Sequence, residues 1–214
     1  MKGDILIIDE KHRKAASQVV VMIIQDIKNS SKKYVITVAG ESGAGKSEVG
    51  ISIAEKLSEH GIKAFVFGQD DYFVYPPKTN ARQREKDISW VGPEEVRLDL
   101  LDDNIADAIA GKNPVTKPLV DFNADKIGEE KVDFSKYHVL IAEGTYTTLI
   151  KNVDCRVFID RNKLDTFESR KKRNREKQDE FLDRILTIEH EIISKHKALA
   201  DIVISKNWNV SKSG

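Results

Sequence analysis

Apolar residues along the chain fall into two rhythms that alternate from one end to the other. Short, nearly continuous runs, many of them β-branched, occur at 34–39, 64–67, 139–142, 155–159 and 202–204. Such runs read as strands buried on both faces, the pattern of a parallel sheet. Between them, apolar residues recur every three or four positions, as helices require. One set is Val49, Ile53, Ala54 and Leu57, closed by His60-Gly61. A second is Leu98, Leu101, Ile105 and Ile109, predicting a helix over about 93–110 with Pro93 at its start. Phe181, Ile185, Ile188 and Ile192 form a third. Ahead of these, 4–9 reads as a short strand. Ala16, Val19, Val20, Ile23 and Ile27 then predict a helix over about 11–28. Residues 1–30 are therefore expected to be a packed N-terminal extension without chemistry of its own, and 31–214 the main domain. Two extended pieces around 125–129 predict a hairpin at about 115–135. Strands alternating with helices imply an α/β fold, its sheet covered on both faces, with ligands gathered at the carboxyl ends of the strands.

The first strand runs directly into Gly40-Glu41-Ser42-Gly43-Ala44-Gly45-Lys46-Ser47, a complete G-x-x-x-x-G-K-[ST] phosphate-binding loop, and a helix follows. Glycines let the backbone turn tightly enough to aim several N–H groups at phosphate oxygens. The helix N-terminus adds partial positive charge facing the same anion. Lys46 is placed to reach the β- and γ-phosphates, and the Ser47 hydroxyl to ligate Mg²⁺. The octapeptide predicts binding of a nucleoside triphosphate.

Composition narrows the classes. Two hundred and fourteen residues suit one domain or a domain with a small insertion. Lys plus Arg equals Asp plus Glu at 35 each, so no net field favours nucleic acid or an acidic membrane. No apolar run approaches the ~20 residues of a membrane span, and no secretory signal opens the sequence. The single cysteine, Cys155, lies in an apolar run and reads as a buried thiol. The expectation is a cytoplasmic protein with small-molecule partners, compatible with a homo-oligomer.

Polar clusters close several of the strands. Asp70 in Gly68-Gln69-Asp70-Asp71-Tyr72-Phe73 can accept a proton from an attacking hydroxyl, although an Asp-Asp pair after a strand also makes an ordinary solvated turn. Glu143 in Glu143-Gly144-Thr145 can hold Mg²⁺ directly or through water; a plain loop acid is the alternative. A basic helix is expected from Asp165 to Lys177. Its run at 170–177 is either a solvated face or a lid whose arginines offset charge on a transferring phosphoryl group.

The ordered set GESGAGKS, GQDDYF, VLIAEGTY, FIDRNKLDTFESRKKRNRE and ADIVIS resembles the uridine kinase family, in the phosphoribulokinase/uridine kinase branch of P-loop kinases. The resemblance covers roughly 34–206. It implies a P-loop NTPase three-layer sandwich with a parallel five-stranded core sheet, an active-site hairpin and a helical lid at about 163–180. It further implies that Asp70 is the catalytic base, that Glu143-Gly144 is the family's strand-end element, and that Arg170, Arg173 and Arg175 belong to the lid. On the acceptor side the chain departs from the pattern. Asp121-Phe122 is kept, but Val120 stands at the family's tyrosine, Asp125 near its histidine, and Trp90-Val91-Gly92-Pro93 at its Phe-Asp-His-Pro segment. The resulting expectation is an ATP- and Mg²⁺-dependent kinase. Its acceptor would be the 5′-hydroxyl of uridine or cytidine, or another sugar or polyol hydroxyl, with Tyr72, Asp121 and Phe122 lining the pocket beside Asp70; the alternatives are Phe122 as core and Tyr72 as a loop anchor.

A guanine-nucleotide switch is the competing class. Asn162-Lys163-Leu164-Asp165 matches N-K-x-D and Asp125-Lys126-Ile127-Gly128 matches D-x-x-G. The second does not follow a convincing buried strand, and the first runs straight into the lid-like helix. A regulatory module that binds ATP without transferring phosphate is a third reading.

Overall fold

The structure, a computed structural model, describes residues 1–3, 6–173 and 179–213, with Lys172 and Arg173 described by their backbone alone. In chain order the helices and strands are α1 (Glu10–Asn29), β1 (Tyr34–Gly40), α2 (Lys46–Glu59), β2 (Ala64–Gly68), α3 (Pro77–Lys86), α4 (Leu98–Ile109), β3 (Val115–Asp121), β4 (Lys126–Val132), β5 (Val139–Glu143), β6 (Cys155–Asp160), α5 (Phe167–Arg173), α6 (Glu180–Ile193), β7 (Ile202–Ser205) and β8 (Val210–Lys212). Short 3-10 turns lie between several of them, at Gln69–Tyr72 and Pro93–Glu95 among others.

The main sheet runs β2-β5-β1-β6-β7-β8. Its first five strands are parallel, and β8 joins antiparallel to β7. The edge strand added to the expected five is three residues long and half exposed, too short for a hydrophobic rhythm to mark. Every residue of β1 is buried, which is why its run is apolar without alternation. One face of the sheet packs Ile36, Val38, Ile141 and Val157 against α2 and the apolar stripe of α1. The other packs Val35, Leu140, Ala142 and Phe158 against Leu101 and Ile105 of α4 and the base of the hairpin. Successive strand residues thus feed opposite cores.

Three local expectations are corrected. Residues 6–9 form no strand, and 4–5 lie outside the described residues; instead Lys2 pairs with β3, its N–H donating to Val120 O at 2.9 Å. The helix expected from Pro93 begins at Leu98, because Val96 is extended and the Arg97 N–H is taken by the Tyr72 carbonyl at 2.8 Å. The hairpin turns at 122–125, where Asp125 adopts a left-handed backbone at φ 51°, not at the glycine of the predicted turn.

Candidate active site

Parallel topology brings the ends of β1, β2 and β5 together. In register, Glu143 at the end of β5 lies between Val38 of β1 and Gly68 of β2. The phosphate-binding loop leaves β1, and its turn needs left-handed backbone at Gly43 (φ 80°) and Gly45 (φ 101°). Both glycines are also crowded. A Cβ on Gly43 would stand 2.7 Å from Cγ of Arg170, and one on Gly45 would stand 2.9 Å from the Trp208 ring and 3.1 Å from His12 Nε2. The loop is therefore gripped by helix α5 on one side. On the other it meets α1 and the β7–β8 turn. Lys46 Nζ donates to the Glu41 carbonyl at 2.9 Å.

Asp70 follows β2 in the Gln69–Tyr72 turn, and that turn is pressed against the end of β5. A Cβ on Gly144 would lie 2.1 Å from Cβ of Gln69, whose Oε1 accepts the Tyr146 N–H at 2.7 Å. Asp70 and Glu143 are thereby forced close together. Burial, reinforced by the Asp70 charge, pushes the Glu143 carboxyl up to about 7, against the pull of Lys46 and a hydrogen bond from Ser47. Lys46, Ser47 and Asp70 thus all act on the Glu143 carboxyl. Among the described residues no three His, Cys, Asp or Glu side chains form a metal cage by themselves. Two carboxylates and a hydroxyl are nonetheless the hard oxygen donors that suit Mg²⁺, which keeps water and phosphate oxygens in its shell. A divalent cation would also offset the burial cost and the Asp70 repulsion that together raise Glu143. The donor set fits Mg²⁺.

A cavity of about 240 Å³ opens beside Asp70, lined also by Ser42, Phe73, Asn80, Arg84, Phe122, Tyr146 and Glu189. Two residues expected in it are elsewhere. Tyr72 is fully buried, its hydroxyl donating to Asn104 Oδ1 at 2.9 Å. In a 3-10 turn residues two apart point about 120° from one another, so Asp70 and Tyr72 cannot share a wall. Asp121 precedes Phe122 at the strand end, where neighbours face opposite sides. Phe122 reaches the cavity, while Asp121 accepts the Ala124 N–H at 2.9 Å and pairs with Lys2. Arg173 is described only in its backbone and Arg175 lies outside the described residues. Arg170 packs on the loop and hydrogen-bonds Thr166.

Several site residues were not signalled by any motif. On α3, Asn80 and Arg84 sit one turn apart and both reach the buried Glu95: Asn80 Nδ2 at 2.5 Å, Arg84 Nε at 2.6 Å and Arg84 Nη2 at 3.0 Å. The Trp90 indole donates to Asn80 Oδ1 at 2.9 Å. An i, i+4 polar pair in a helix without an apolar stripe was the available trace. Asp71 is buried, accepting Val120 N–H at 2.9 Å with Lys117 Nζ at 3.1 Å, so it pins the hairpin over the cavity. Glu41 turns its carboxylate out of the loop onto His190 Nδ1, 2.6 Å away; burial raises the Glu41 carboxyl.

The guanine-switch motifs are consumed locally. Asn162 Oδ1 accepts the Leu164 N–H at 2.9 Å, and Asp165 Oδ2 accepts the Asn162 N–H at 3.1 Å. Asp125 accepts from Lys78 N and Thr79 Oγ1 at 2.7 and 2.9 Å, at the tip of an antiparallel hairpin. Asn162 and Asp165 also line a second cavity with Glu41 of the loop, whereas Asp125 does not. No helix among the described residues is long and apolar enough to cross a membrane.

Comparison with known proteins places this geometry in context. The model of the family described as "Phosphoribulokinase / Uridine kinase family" matches residues 35–187. The chain is 25% identical over 196 residues to the bifunctional alpha-galactosidase/sucrose kinase AgaSK of Mediterraneibacter gnavus, covering 85% of this chain and 21% of that protein. It spans only about a fifth of AgaSK. It is 25% identical over 194 residues to a uridine kinase of Latilactobacillus sakei subsp. sakei, covering 84% of this chain and 90% of that one. Among solved structures, a possible uridine kinase from Bacillus stearothermophilus superposes with a TM-score of 0.64 at 19% identity, covering 89% and 97% of the two chains, a likeness of fold.

Proposed function

The chain belongs to the phosphoribulokinase/uridine kinase family, phosphotransferases with a hydroxyl acceptor, and from that premise we propose a mechanism and an acceptor site for this member. It is an ATP-dependent kinase acting on a hydroxyl of a small metabolite. The backbone of residues 40–47 and the Lys46 ammonium hold the triphosphate. Ser47 and Glu143 hold Mg²⁺, which when bound neutralises charge around the transferring group. Asp70 takes the proton of the acceptor hydroxyl as that oxygen attacks the γ-phosphorus in line. Arg170, together with Arg173 and Arg175 of the lid segment, offsets charge developing on the phosphoryl oxygens and excludes water.

What supports this reading above all is that Asp70 belongs both to the Lys46–Ser47–Glu143 cluster and to the wall of the adjoining cavity. A base must touch the nucleophile while standing beside the phosphate. Two acceptor classes have precedent among the relatives, a pyrimidine nucleoside and a sugar. The test is ADP release with ATP or GTP as donor across nucleosides, neutral sugars and polyols, and sugar phosphates. Release that depends on an acceptor and falls about 10²–10⁴-fold in Asp70→Asn is the expected result. Nucleotide hydrolysis that ignores every acceptor and survives Asp70→Asn overturns the reading.

A further inference from the structure

Resting on that phosphoryl-transfer reading, we propose that Glu189 and Tyr146, with Arg84 held between two carboxylates, form the acceptor-binding wall of this chain, and that the wall selects a neutral acceptor carrying adjacent hydroxyls. Glu189 comes from α6 and Tyr146 from the segment after β5, and both line the cavity that Asp70 lines. Their exposures are 4% and 1%, yet Glu189 Oε2 and the Tyr146 hydroxyl have no hydrogen-bond partner. Buried polar atoms are ordinarily satisfied, and one left bare on a cavity wall is a place where a ligand or ordered water completes the bond. Two on one wall make a recognition surface.

The chemistry of that surface is specific. A carboxylate oxygen only accepts, so the group facing Glu189 must bring an O–H or N–H; a phenol both donates and accepts. Arg84 does not turn the wall into an anion site. Its guanidinium is bidentate to Glu95, at 2.6 and 3.0 Å, with Glu189 Oε1 a further 4.0 Å from Nη2. The other cations at the cavity are engaged as well: Lys78 donates its ammonium to the Asn123 carbonyl at 3.1 Å, and the Met1 ammonium lies 3.3 Å from Asp71 Oδ1. A phosphorylated sugar would meet the Glu189 charge without an unengaged cation to match it. The ribose of a nucleoside also carries adjacent hydroxyls, but its base must then pack in the same cavity, and a uracil edge there would bring one N–H flanked by two carbonyls, which face a carboxylate unfavourably. Adjacent hydroxyls bring two donors to one carboxylate and an oxygen for Tyr146, while Phe73 and Phe122 offer apolar faces to the carbon skeleton. The occupant these groups describe is an unphosphorylated sugar or polyol.

The experiment is steady-state kinetics on the full chain with ATP and a panel of neutral pentoses, hexoses, disaccharides and alditols beside uridine, cytidine and two sugar phosphates. Turnover is expected with a neutral sugar or polyol. Glu189→Gln is then expected to raise the acceptor KM roughly tenfold to a hundredfold while the ATP KM stays within about twofold, and Tyr146→Phe to raise it about five- to tenfold. The deoxy analogue lacking one of the adjacent hydroxyls should lose as much with wild type as Glu189→Gln loses with the parent acceptor, and the two losses should not add. Tyr146→Phe removes only an oxygen without a partner, so it folds even where Glu189→Gln does not. Faster turnover of uridine, cytidine or a sugar phosphate than of any neutral polyol overturns the proposal and leaves the kinase reading intact. So does an acceptor KM unmoved by both variants. Absence of acceptor-dependent ADP release with every compound overturns the kinase reading, and this proposal with it.

Discussion

Gly144 is the residue on which the site's geometry turns. Its lack of a side chain lets Gln69 lie against it, and that contact sets Asp70 beside Glu143. In Gly144→Ala the new Cβ would fall 2.1 Å from Gln69 Cβ, so one strand end must shift from the other. Overpacking of this kind costs about 1–3 kcal/mol, which urea unfolding would record, and kcat should fall along with it because Asp70 moves. Gly61 is the control: its φ is +74° but nothing lies within 4 Å of a Cβ, so Gly61→Ala should cost about 1 kcal/mol and leave kcat unchanged. At this scale the sequence was informative where spacing alone fixes a side chain. Lys46 and Ser47 follow from the loop, and Glu143 from its place at a strand end. It misled where direction depends on local twist. The 3-10 turn sends Tyr72 into the core while Asp70 faces the cavity, and strand alternation sends Asp121 away while Phe122 points in. Nothing in the residue types records either rotation.

Among elements, legibility followed apolar periodicity. Helices α1, α2, α4 and α6 carry apolar stripes and were visible. Helix α3, Pro-Lys-Thr-Asn-Ala-Arg-Gln-Arg-Glu-Lys, buries only Asn80 and was not. It is held through Glu95, a polar contact farther along the chain that no apolar period marks. The lid reading of the basic run remains a proposal, since 174–178 lie outside the described residues. Helix α1 offers a prediction of its own. His12 is buried against Gly45 and lies in edge contact with Trp208, 4.6 Å between ring centroids. Burial lowers its pKa from the ordinary histidine value, with Asp9 and Glu48 opposing that shift and Lys11 and Arg161 adding to it. The unfolded chain therefore takes up a proton, as pH falls below about 6.5, that the folded chain refuses. Stability contributed by neutral His12 is complete above that pH and is lost as pH falls toward the lowered value. Glu41 and Glu143, both raised by burial, act in the opposite direction, so the measurement is a difference. Between about pH 7.5 and 5.5 the urea midpoint of wild type should fall further than that of His12→Gln, whose amide oxygen can still accept the Asp9 N–H. Parallel curves would remove His12 from the account.

For the whole molecule, the question is how far α1 belongs to the same cooperative unit as the site. Its buried face, Ala15, Ala16, Val19, Val20, Ile23 and Ile27, shares one apolar cluster with α2, β1, β6 and β7. Chain segments that share a close-packed cluster unfold together when the cluster is weakened. Ile23→Ala should therefore cost about 2–5 kcal/mol although Ile23 does not line the cavity beside Asp70. The two tryptophans make this measurable. Trp208 sits against His12 and, through it, reports the fit of α1 to the phosphate loop; Lys11 lies 5.5 Å and Arg161 5.0 Å from its ring centroid. Trp90 bonds to Asn80 and lies 5.6 Å from the Tyr75 ring, so it reports the acceptor end. With Trp90→Phe and Trp208→Phe backgrounds isolating each signal, Ile23→Ala should shift both fluorescence transitions to the same lower urea concentration, coincident with far-UV circular dichroism. An appendage would behave otherwise: Trp208 would move alone, ahead of Trp90, and the acceptor end would keep the stability of wild type. Coincidence would mean that a helix lying outside the phosphate loop and the cavity beside Asp70 helps hold both at working temperature, because each is built on strand ends whose other face α1 covers.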